Sequence, residues 1–332
     1  GKRIACIVGV GGTTSNMAID NFEDIAKMRN RLVEDFALDY TPHIHSDSVI
    51  GWAYLHFADY DFLSNPLGFS EKVLKKIQHT TELAKTFRFA DSIGLDFHKT
   101  GYVPYVSSVI IARKREDLSN LGRESPMMTP LFFDPDDYHP GKYSLETSRS
   151  AANMVGTWVT VKALGKQGYQ TLLGHSLEMA QIIRDGINEK SSETGLFVVN
   201  QVSFGSDVYV RCFSQEVEPR QEHERELLNV EALAKTDAYN SEFYDWLQAH
   251  HVEGKDGFSL GKTSAAFYAP SGEGVTALRF YILNPFMNEE SATKLVEQLG
   301  QAKLEFDQQR ITSEPEIPQR EAKLKAKGIA CG

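Results

Sequence analysis

The 332-residue sequence has few cysteines, no long apolar run and no excess of basic charge. Its cysteines, Cys6, Cys212 and Cys331, are far apart, which fits neither a disulfide framework nor a zinc knuckle and suits a reducing cytoplasm. No apolar run reaches the roughly 18 residues that a membrane-spanning helix needs. The formal net charge of −10 at pH 7 argues against binding to nucleic acid or to an anionic membrane. A cytoplasmic globular protein remains.

Short apolar segments alternate with helical patterns in the first half of the chain. This alternation predicts an α/β fold with a mostly parallel sheet and helices on both faces, followed by a smaller C-terminal α+β domain. We expect the large domain at residues 1–190, the small domain at 191–310 and a polar tail at 311–332. The predicted strands are 4–10, 43–48, 90–96, 106–112, 196–202, 208–213 and 277–283. The predicted helices are 22–38, 70–86, 149–166, 169–188, 219–249 and 289–307.

The most informative stretch is residues 90–100, ADSIGLDFHKT, where a predicted strand ends in the pair His98-Lys99. A lysine at a strand end beside an aromatic residue and a histidine is placed for desolvation. Desolvation lowers the pKa of an amine and makes it a nucleophile that can form a Schiff base with a carbonyl group. The alternative is an ordinary surface lysine in a loop.

A second predicted strand ends in His45-Ser46-Asp47. Ligands of open α/β sheets bind at the carboxyl ends of strands, so this acid and Lys99 could grip opposite sides of one flat cofactor. Pyridoxal phosphate requires such a pair, because a lysine bonds to its aldehyde and an aspartate partners its pyridine nitrogen. His43, His45 and Asp47 would also share one strand face as a metal site, but no second ligand cluster supports that alternative.

Five ordered segments resemble the group II pyridoxal-phosphate-dependent amino-acid decarboxylases, which include glutamate, aromatic-amino-acid and cysteine-sulfinate decarboxylases. The chain has the family's G-T-T segment, its H-x-D strand end, its A-D-S to H-K motif, its L-E-x-S-R helix start with a following tryptophan, and its F-R to N-P strand. These segments are Gly12-Thr13-Thr14, His45-Ser46-Asp47, Ala90-Asp91-Ser92 to His98-Lys99, Leu145 to Arg149 with Trp158, and Leu278-Arg279-Phe280 to Leu283-Asn284-Pro285.

The resemblance implies a fold-type I transferase-like architecture with pyridoxal 5'-phosphate as cofactor. Lys99 would form the Schiff base with the cofactor, Asp47 would pair with the pyridine nitrogen, and His98 would contact the phosphate. Thr14 would lie near the ring, with His45 also at the cofactor. Arg279 would bind the α-carboxylate of the substrate, with a domain-interface ion pair as the alternative for Arg279 and a turn-stabilising hydroxyl as the alternative for Thr14.

A proline-rich loop over residues 120–144 supplies the remaining predicted catalytic group. In this family a tyrosine on a mobile loop often donates a proton to Cα, and Tyr138 is our candidate, with Tyr143 and His139 as rivals. The chain departs from the family at Ser48-Val49, where two alanines are common, and at Thr100, where a bulky residue is frequent.

The implied function is decarboxylation of an L-amino acid to its amine and carbon dioxide, with an acidic, glutamate- or aspartate-like substrate favoured. Three alternatives stay open: another reaction of the same cofactor, an aromatic substrate, and a non-catalytic subunit of a split enzyme. The family also implies a homodimer with the active site at its interface. Because a long stretch precedes the G-T-T segment in that family, we expect this chain to be a C-terminal portion that a separate N-terminal segment or chain completes.

Overall fold

The computed structural model describes residues 3–122, 150–214, 216–250 and 260–313. The chain divides into two compact units. Unit 1 comprises Gly1–Glu178, Val202–Asp207 and Ile282–Phe286, and unit 2 comprises Met179–Gln201, Val208–Tyr281 and Met287–Gly332. Across the described residues, no helix combines the length and the apolar composition that crossing a bilayer requires.

Unit 1 is built on a four-stranded sheet in the order β1-β2-β3-β4. β1 and β2 are parallel, β2 and β3 are parallel, and β4 runs antiparallel to β3. The strands are β1 Cys6–Val10, β2 His43–Asp47, β3 Ser92–Asp96 and β4 Ser108–Ala112. The three parallel strands therefore present their carboxyl ends at one edge of the sheet.

Helices connect and cover these strands, namely α1 Phe22–Asp35, α2 Glu71–Ala84 and the first part of α3 Ala152–Glu189. Asn21 begins α1, because its side-chain oxygen accepts hydrogen bonds from the amides of Glu23 and Asp24. A 3-10 helix, Gly51–Phe57, follows β2 directly. The core of unit 1 is apolar and aromatic, and its fully buried members include Phe22, Ile44, Phe57, Ile77 and Tyr169.

Unit 2 contains the second sheet, in the order β5-β6-β8-β7, with β5/β6 and β7/β8 antiparallel. Its strands are β5 Leu196–Val198, β6 Asp207–Cys212, β7 Gly261–Thr263 and β8 Ala277–Tyr281. Its helices, besides the end of α3, are α4 Ser191–Thr194, α5 Pro219–Glu226, α6 Val230–His250 and α7 Glu289–Ser313. This mixture of antiparallel strands and helices is an α+β arrangement.

Three predicted elements differ from the structure. The two helices expected over 149–166 and 169–188 form the single element α3, with a kink where Gly165 adopts a positive φ of 57°. The helix expected over 219–249 is broken into α5 and α6, because the Asn229 side chain accepts from the amides of Glu231 and Ala232 and starts a new helix. The predicted domain boundaries at 190 and 310 stay predictions.

Candidate active site

The site lies where β1, β2 and β3 end. Asp47 closes β2, pairs in register with Val10 of β1 and with Gly94 of β3, and so stands between the two neighbouring strand ends. The chain after β1 turns at Gly11, whose amide donates to the Asp47 carbonyl at 2.7 Å. Gly11 is required here, since a Cβ on it would lie 1.9 Å from the Ser48 hydroxyl oxygen. Ser48, one of the departures from the family pattern, is fully buried and bonds the Ser46 hydroxyl.

Lys99 does not lie on β3, which ends three residues earlier at Asp96, but in the turn after that strand. Its Nζ is 2.9 Å from the Asp96 carboxylate, and its side chain is 34% exposed. The turn is fixed at Thr100, whose buried hydroxyl donates to the carbonyl of Ile50 at 2.9 Å. Lys99 is thus an accessible amine on a well-anchored turn.

His98 is held on both sides of its ring. Nδ1 lies 2.9 Å from the carbonyl oxygen of Ser107, and Nε2 lies 3.5 Å from Asp96 Oδ2. The ring packs against Tyr105, with 4.1 Å between centroids. A carboxylate so close to Nε2 disfavours an incoming anion, so a phosphate contact there requires the side chain of His98 or Asp96 to shift.

His45 and Asp47 both lie on β2, but the side chain of Asp47 is more exposed than that of His45. The Asp47 side chain is exposed, and within the described part of the chain no hydrogen bond or ion pair engages its carboxylate. His45 is half-buried, and its Nδ1 is 2.7 Å from the hydroxyl of Ser92, which also lies 2.8 Å from Nε2 of His43. Burial lowers the pKa of His45, although the Asp47 charge opposes this, and so favours the neutral ring.

The two adjacent threonines in the turn after β1 differ in their contacts. The Thr13 hydroxyl is used within the turn, donating to the Ser15 carbonyl and accepting from the Ala18 amide. Thr14 is exposed at the same sheet edge. Close by, Asn16 Oδ1 is buried and has no hydrogen-bond partner among the described residues.

Two predicted site residues belong to other parts of the chain. Arg279 lies on β8 in unit 2, half-buried and paired in register with Gly261. Tyr138 and its rivals Tyr143 and His139 lie outside the described residues. The structure therefore brings together Lys99, His98, Asp47, His45 and Thr14.

The donor set fits pyridoxal phosphate. An exposed amine suits the aldehyde, and an exposed carboxylate without a partner suits a protonated ring nitrogen. The unpartnered Asn16 oxygen beside Thr14 offers a further polar contact at the same edge. Among the described residues, no cluster of three or more histidine, cysteine or acidic side chains is arranged to hold a metal ion.

Comparison with known proteins agrees with this chemistry. Residues 73–209 match the model of the pyridoxal-dependent decarboxylase conserved domain. An L-tyrosine decarboxylase of Enterococcus faecalis is 26% identical over 205 residues, which cover 57% of this chain and 32% of that protein. An L-aspartate decarboxylase of Thermococcus kodakarensis is 26% identical over 213 residues, 62% of this chain and 46% of that protein. The crystal structure of mouse CSAD has a TM-score of 0.61 at 15% identity, covering 90% of this chain and 52% of that one.

The fold is that of the fold-type I pyridoxal-phosphate-dependent decarboxylases. Residues 73–209 are thus similar to the pyridoxal-dependent decarboxylase family, whose cofactor is pyridoxal phosphate. The chain spans about a third to a half of the length of the curated relatives named above.

Sequence reasoning missed Asp96 as a site residue. Its carboxylate contacts Lys99, His98 and the Ser108 hydroxyl, the last at 2.6 Å. The spacing D-x-x-K could have indicated the ion pair, because residues three apart across a tight turn come close together. Ser108 had no comparable signal, since its position opposite Asp96 depends on the register of β3 and β4.

Proposed function

We propose that the chain carries the cofactor-binding lysine of a pyridoxal-phosphate-dependent carboxy-lyase, which converts an L-amino acid into the corresponding amine and carbon dioxide. The observation that carries this proposal is the placement of Lys99 and Asp47 at the ends of neighbouring parallel strands. The family match supports it, since residues 73–209 include Lys99.

Each side chain has a defined task in this proposal. When bound, the cofactor supplies a sink for the electrons of the bond between Cα and the carboxylate. Lys99 would hold the cofactor through its Nζ, which pairs with Asp96 at 2.9 Å in this structure. Asp47 would pair with the ring nitrogen, because its exposed carboxylate has no other partner among the described residues. Thr14, His45 and His98 line the same edge and orient the ring.

We further propose that Arg279 binds the α-carboxylate of the substrate and that Tyr138 donates the proton to Cα. A guanidinium suits a carboxylate because it offers two parallel N–H donors. An acidic, aspartate- or glutamate-like substrate is our first choice, and the similarity to an L-aspartate decarboxylase favours it. An aromatic substrate is the second candidate, since the similarity to an L-tyrosine decarboxylase is equally strong.

Trapping the cofactor on one lysine tests the proposal. The chain is incubated with pyridoxal phosphate, reduced with borohydride, digested and analysed by mass spectrometry, and we expect the pyridoxyl group on Lys99. Lys99→Ala should abolish the adduct. Lys166→Ala is the matched control, because Lys166 is another lysine of unit 1 paired with an aspartate, Asp59. An adduct of unchanged yield in Lys99→Ala would overturn the assignment.

A product assay then decides the reaction. The chain is supplied with aspartate, glutamate, tyrosine and other amino acids, and released carbon dioxide is measured against keto acid. Carbon dioxide with the matching amine supports decarboxylation. Keto acid would indicate transamination, and an adduct on Lys99 without turnover of any amino acid would indicate a non-catalytic subunit.

We also propose a cytoplasmic homodimer. Unit 1 exposes apolar side chains on β4 and on the first turns of α3, which is typical of a surface that another chain covers. Val109, Ile110, Ile111, Met154 and Trp158 are 41%, 54%, 51%, 69% and 63% exposed. Analytical ultracentrifugation tests this proposal, and a monomer at all accessible concentrations would contradict it.

A further inference from the structure

Within the described part of unit 1, the Asp96 carboxylate forms an ion pair with the Lys99 amine at 2.9 Å. We propose that Asp96 is a positioning residue, which holds Lys99 at the strand end as a charged ammonium until a carbonyl ligand takes the amine. This inference deepens the proposed function and rests on it, because Lys99 is the amine that the proposed function uses.

Asp96 is itself held in place from two strands. It is the last residue of β3, and its Oδ1 accepts a hydrogen bond of 2.6 Å from Ser108, its register partner on β4. Its backbone carbonyl accepts from the indole nitrogen of Trp52 at 3.3 Å and from the Lys99 amide at 3.3 Å. The remaining oxygen, Oδ2, faces Lys99 at 2.9 Å and His98 at 3.5 Å.

The Asp96 carboxylate stays ionised even though its side chain is only 13% exposed. Burial alone would raise the pKa of this carboxyl, but the hydrogen bonds from Ser108 and Lys99 and the charges of Lys99 and His98 together lower it. A fixed negative charge 2.9 Å from Nζ therefore persists at neutral pH.

The turn that carries Lys99 leaves little freedom for the backbone. Gly101 approaches Phe97 so closely that a Cβ on it would lie 2.5 Å from the Phe97 carbonyl oxygen. The Thr100 hydroxyl and the Tyr169 hydroxyl fix the turn through the carbonyls of Ile50 and Gly101. With the backbone fixed, the direction of the Lys99 side chain depends on what its end group contacts, and that group is Asp96.

An ammonium cannot attack a carbonyl carbon, so this contact controls the reactivity of Lys99. The amine must first release one proton to solvent. Its nitrogen then bonds to the carbonyl carbon, and the carbonyl oxygen leaves as water when the C=N bond forms. Asp96 therefore holds Nζ at the end of β3 until a carbonyl ligand takes the amine.

The experiment measures the reactivity of Lys99 in the cofactor-free chain. Trace labelling with acetic anhydride at pH 8, quantified lysine by lysine by mass spectrometry, is compared between the unmodified chain and Asp96→Asn. We expect labelling of Lys99 to rise about three-fold, in keeping with a partly exposed ion pair. Lys75, an exposed lysine paired with Glu71 on α2, is the internal reference and should not change.

Two further measurements separate charge from packing. Raising the salt concentration should increase Lys99 labelling in the unmodified chain and leave it unchanged in Asp96→Asn, because salt screens only the intact pair. Asp96→Glu should restore low labelling. If Asp96→Asn does not fold, Ser108→Ala replaces it, since this variant keeps the carboxylate but frees its orientation, and a smaller rise is expected.

Unchanged Lys99 labelling in Asp96→Asn, or a rise shared by Lys75, would overturn the inference. This failure is distinguishable from a failure of the proposed function. If Lys99 still traps pyridoxal phosphate but its labelling is the same with and without the Asp96 carboxylate, only the inference is overturned. If Lys99 responds to Asp96 but traps no cofactor, the proposed function falls.

Discussion

Each of the two units contains a lysine paired with an aspartate, and the two pairs differ in what surrounds them. In unit 1, Lys99 is 34% exposed and pairs with Asp96 across a turn at 2.9 Å. In unit 2, Lys303 is fully buried and pairs with Asp307 along α7 at 2.6 Å. Lys303 also lies 5.2 Å from the centroid of the Tyr239 ring.

The surroundings decide which lysine can react. Tyr239 donates its hydroxyl to Asp307, and burial together with this hydrogen bond raises the pKa of Tyr239 well above its usual value. Lys303 is thus fully buried against a tyrosine, a carboxylate and the helix itself. Lys99 needs only to release Asp96. A lysine–aspartate pair alone does not indicate function, and our proposal for Lys99 rests on its position in a turn at a strand end.

Other charged residues of the two units show the same difference between buried, paired charges and exposed ones. In unit 2, Arg211 is fully buried between Glu226 at 2.8 Å and Asp237 at 2.6 Å. In unit 1, Asp47 is exposed and has no such partner among the described residues. Loss of one partner from a buried ion pair destabilises a fold, whereas an exposed carboxylate at a strand end can take a ligand.

The largest effect we expect comes from replacing each of the two lysines with alanine and comparing the losses of stability. Lys303→Ala should lower the free energy of unfolding by about 3 kcal/mol, because it removes buried packing and leaves Asp307 without its cation. Lys99→Ala should lower it by less than about 1 kcal/mol, since that pair is partly exposed. Urea unfolding followed by circular dichroism measures both.

The control for this prediction is the double variant Lys303→Met with Asp307→Asn, which removes both charges and keeps similar volumes. It should recover part of the stability that Lys303→Ala loses. Equal destabilisation by Lys99→Ala and Lys303→Ala would remove the contrast between the two pairs.

Substitution of Arg279 tests whether all charged residues of unit 2 serve only to stabilise the fold. In our proposal Arg279→Gln raises KM for the amino acid about 10- to 100-fold, the loss expected for charge-assisted hydrogen bonds to a carboxylate. Cofactor binding, followed by absorbance, should stay the same. Arg279→Lys should recover little, because an ammonium cannot form the paired hydrogen bonds. Equal losses in cofactor and substrate binding would instead indicate a structural role.

The elements of the sheet could be predicted because their signals are local. The apolar run before Gly11 and the segment after Pro42 were both expected as strands, and β1 and β2 lie there. β7 was missed, because its three residues Gly261–Thr263 include no apolar side chain. The 3-10 helix Gly51–Phe57 was missed as well, since seven residues give too short a periodic pattern to identify.

The sequence predicted candidate residues for the site, but it did not predict which side chains contact each other. The motif order indicated Lys99 and Asp47, yet it gave no distance between any two side chains. The partnership of Asp96 with Ser108 depends on strand register, and the burial of Lys303 depends on Tyr239, 64 positions earlier in the chain. Such contacts depend on how distant segments pack, which one sequence does not contain.

The smallest effect we expect concerns pH and the half-buried His45 in unit 1. Because burial lowers the pKa of His45 below its ordinary 6.5, the unfolded chain takes up a proton before the folded chain does as the pH falls. Stability should therefore decrease as the pH drops from 6.5 toward the lowered pKa, by a few tenths of a kcal/mol after solvent screening. His45→Asn should remove this part of the pH dependence in urea unfolding at pH 5 and 7.5. His250→Asn, at the exposed end of α6 in unit 2, is the matched control, and an equal effect of both variants would show that the burial of His45 does not matter.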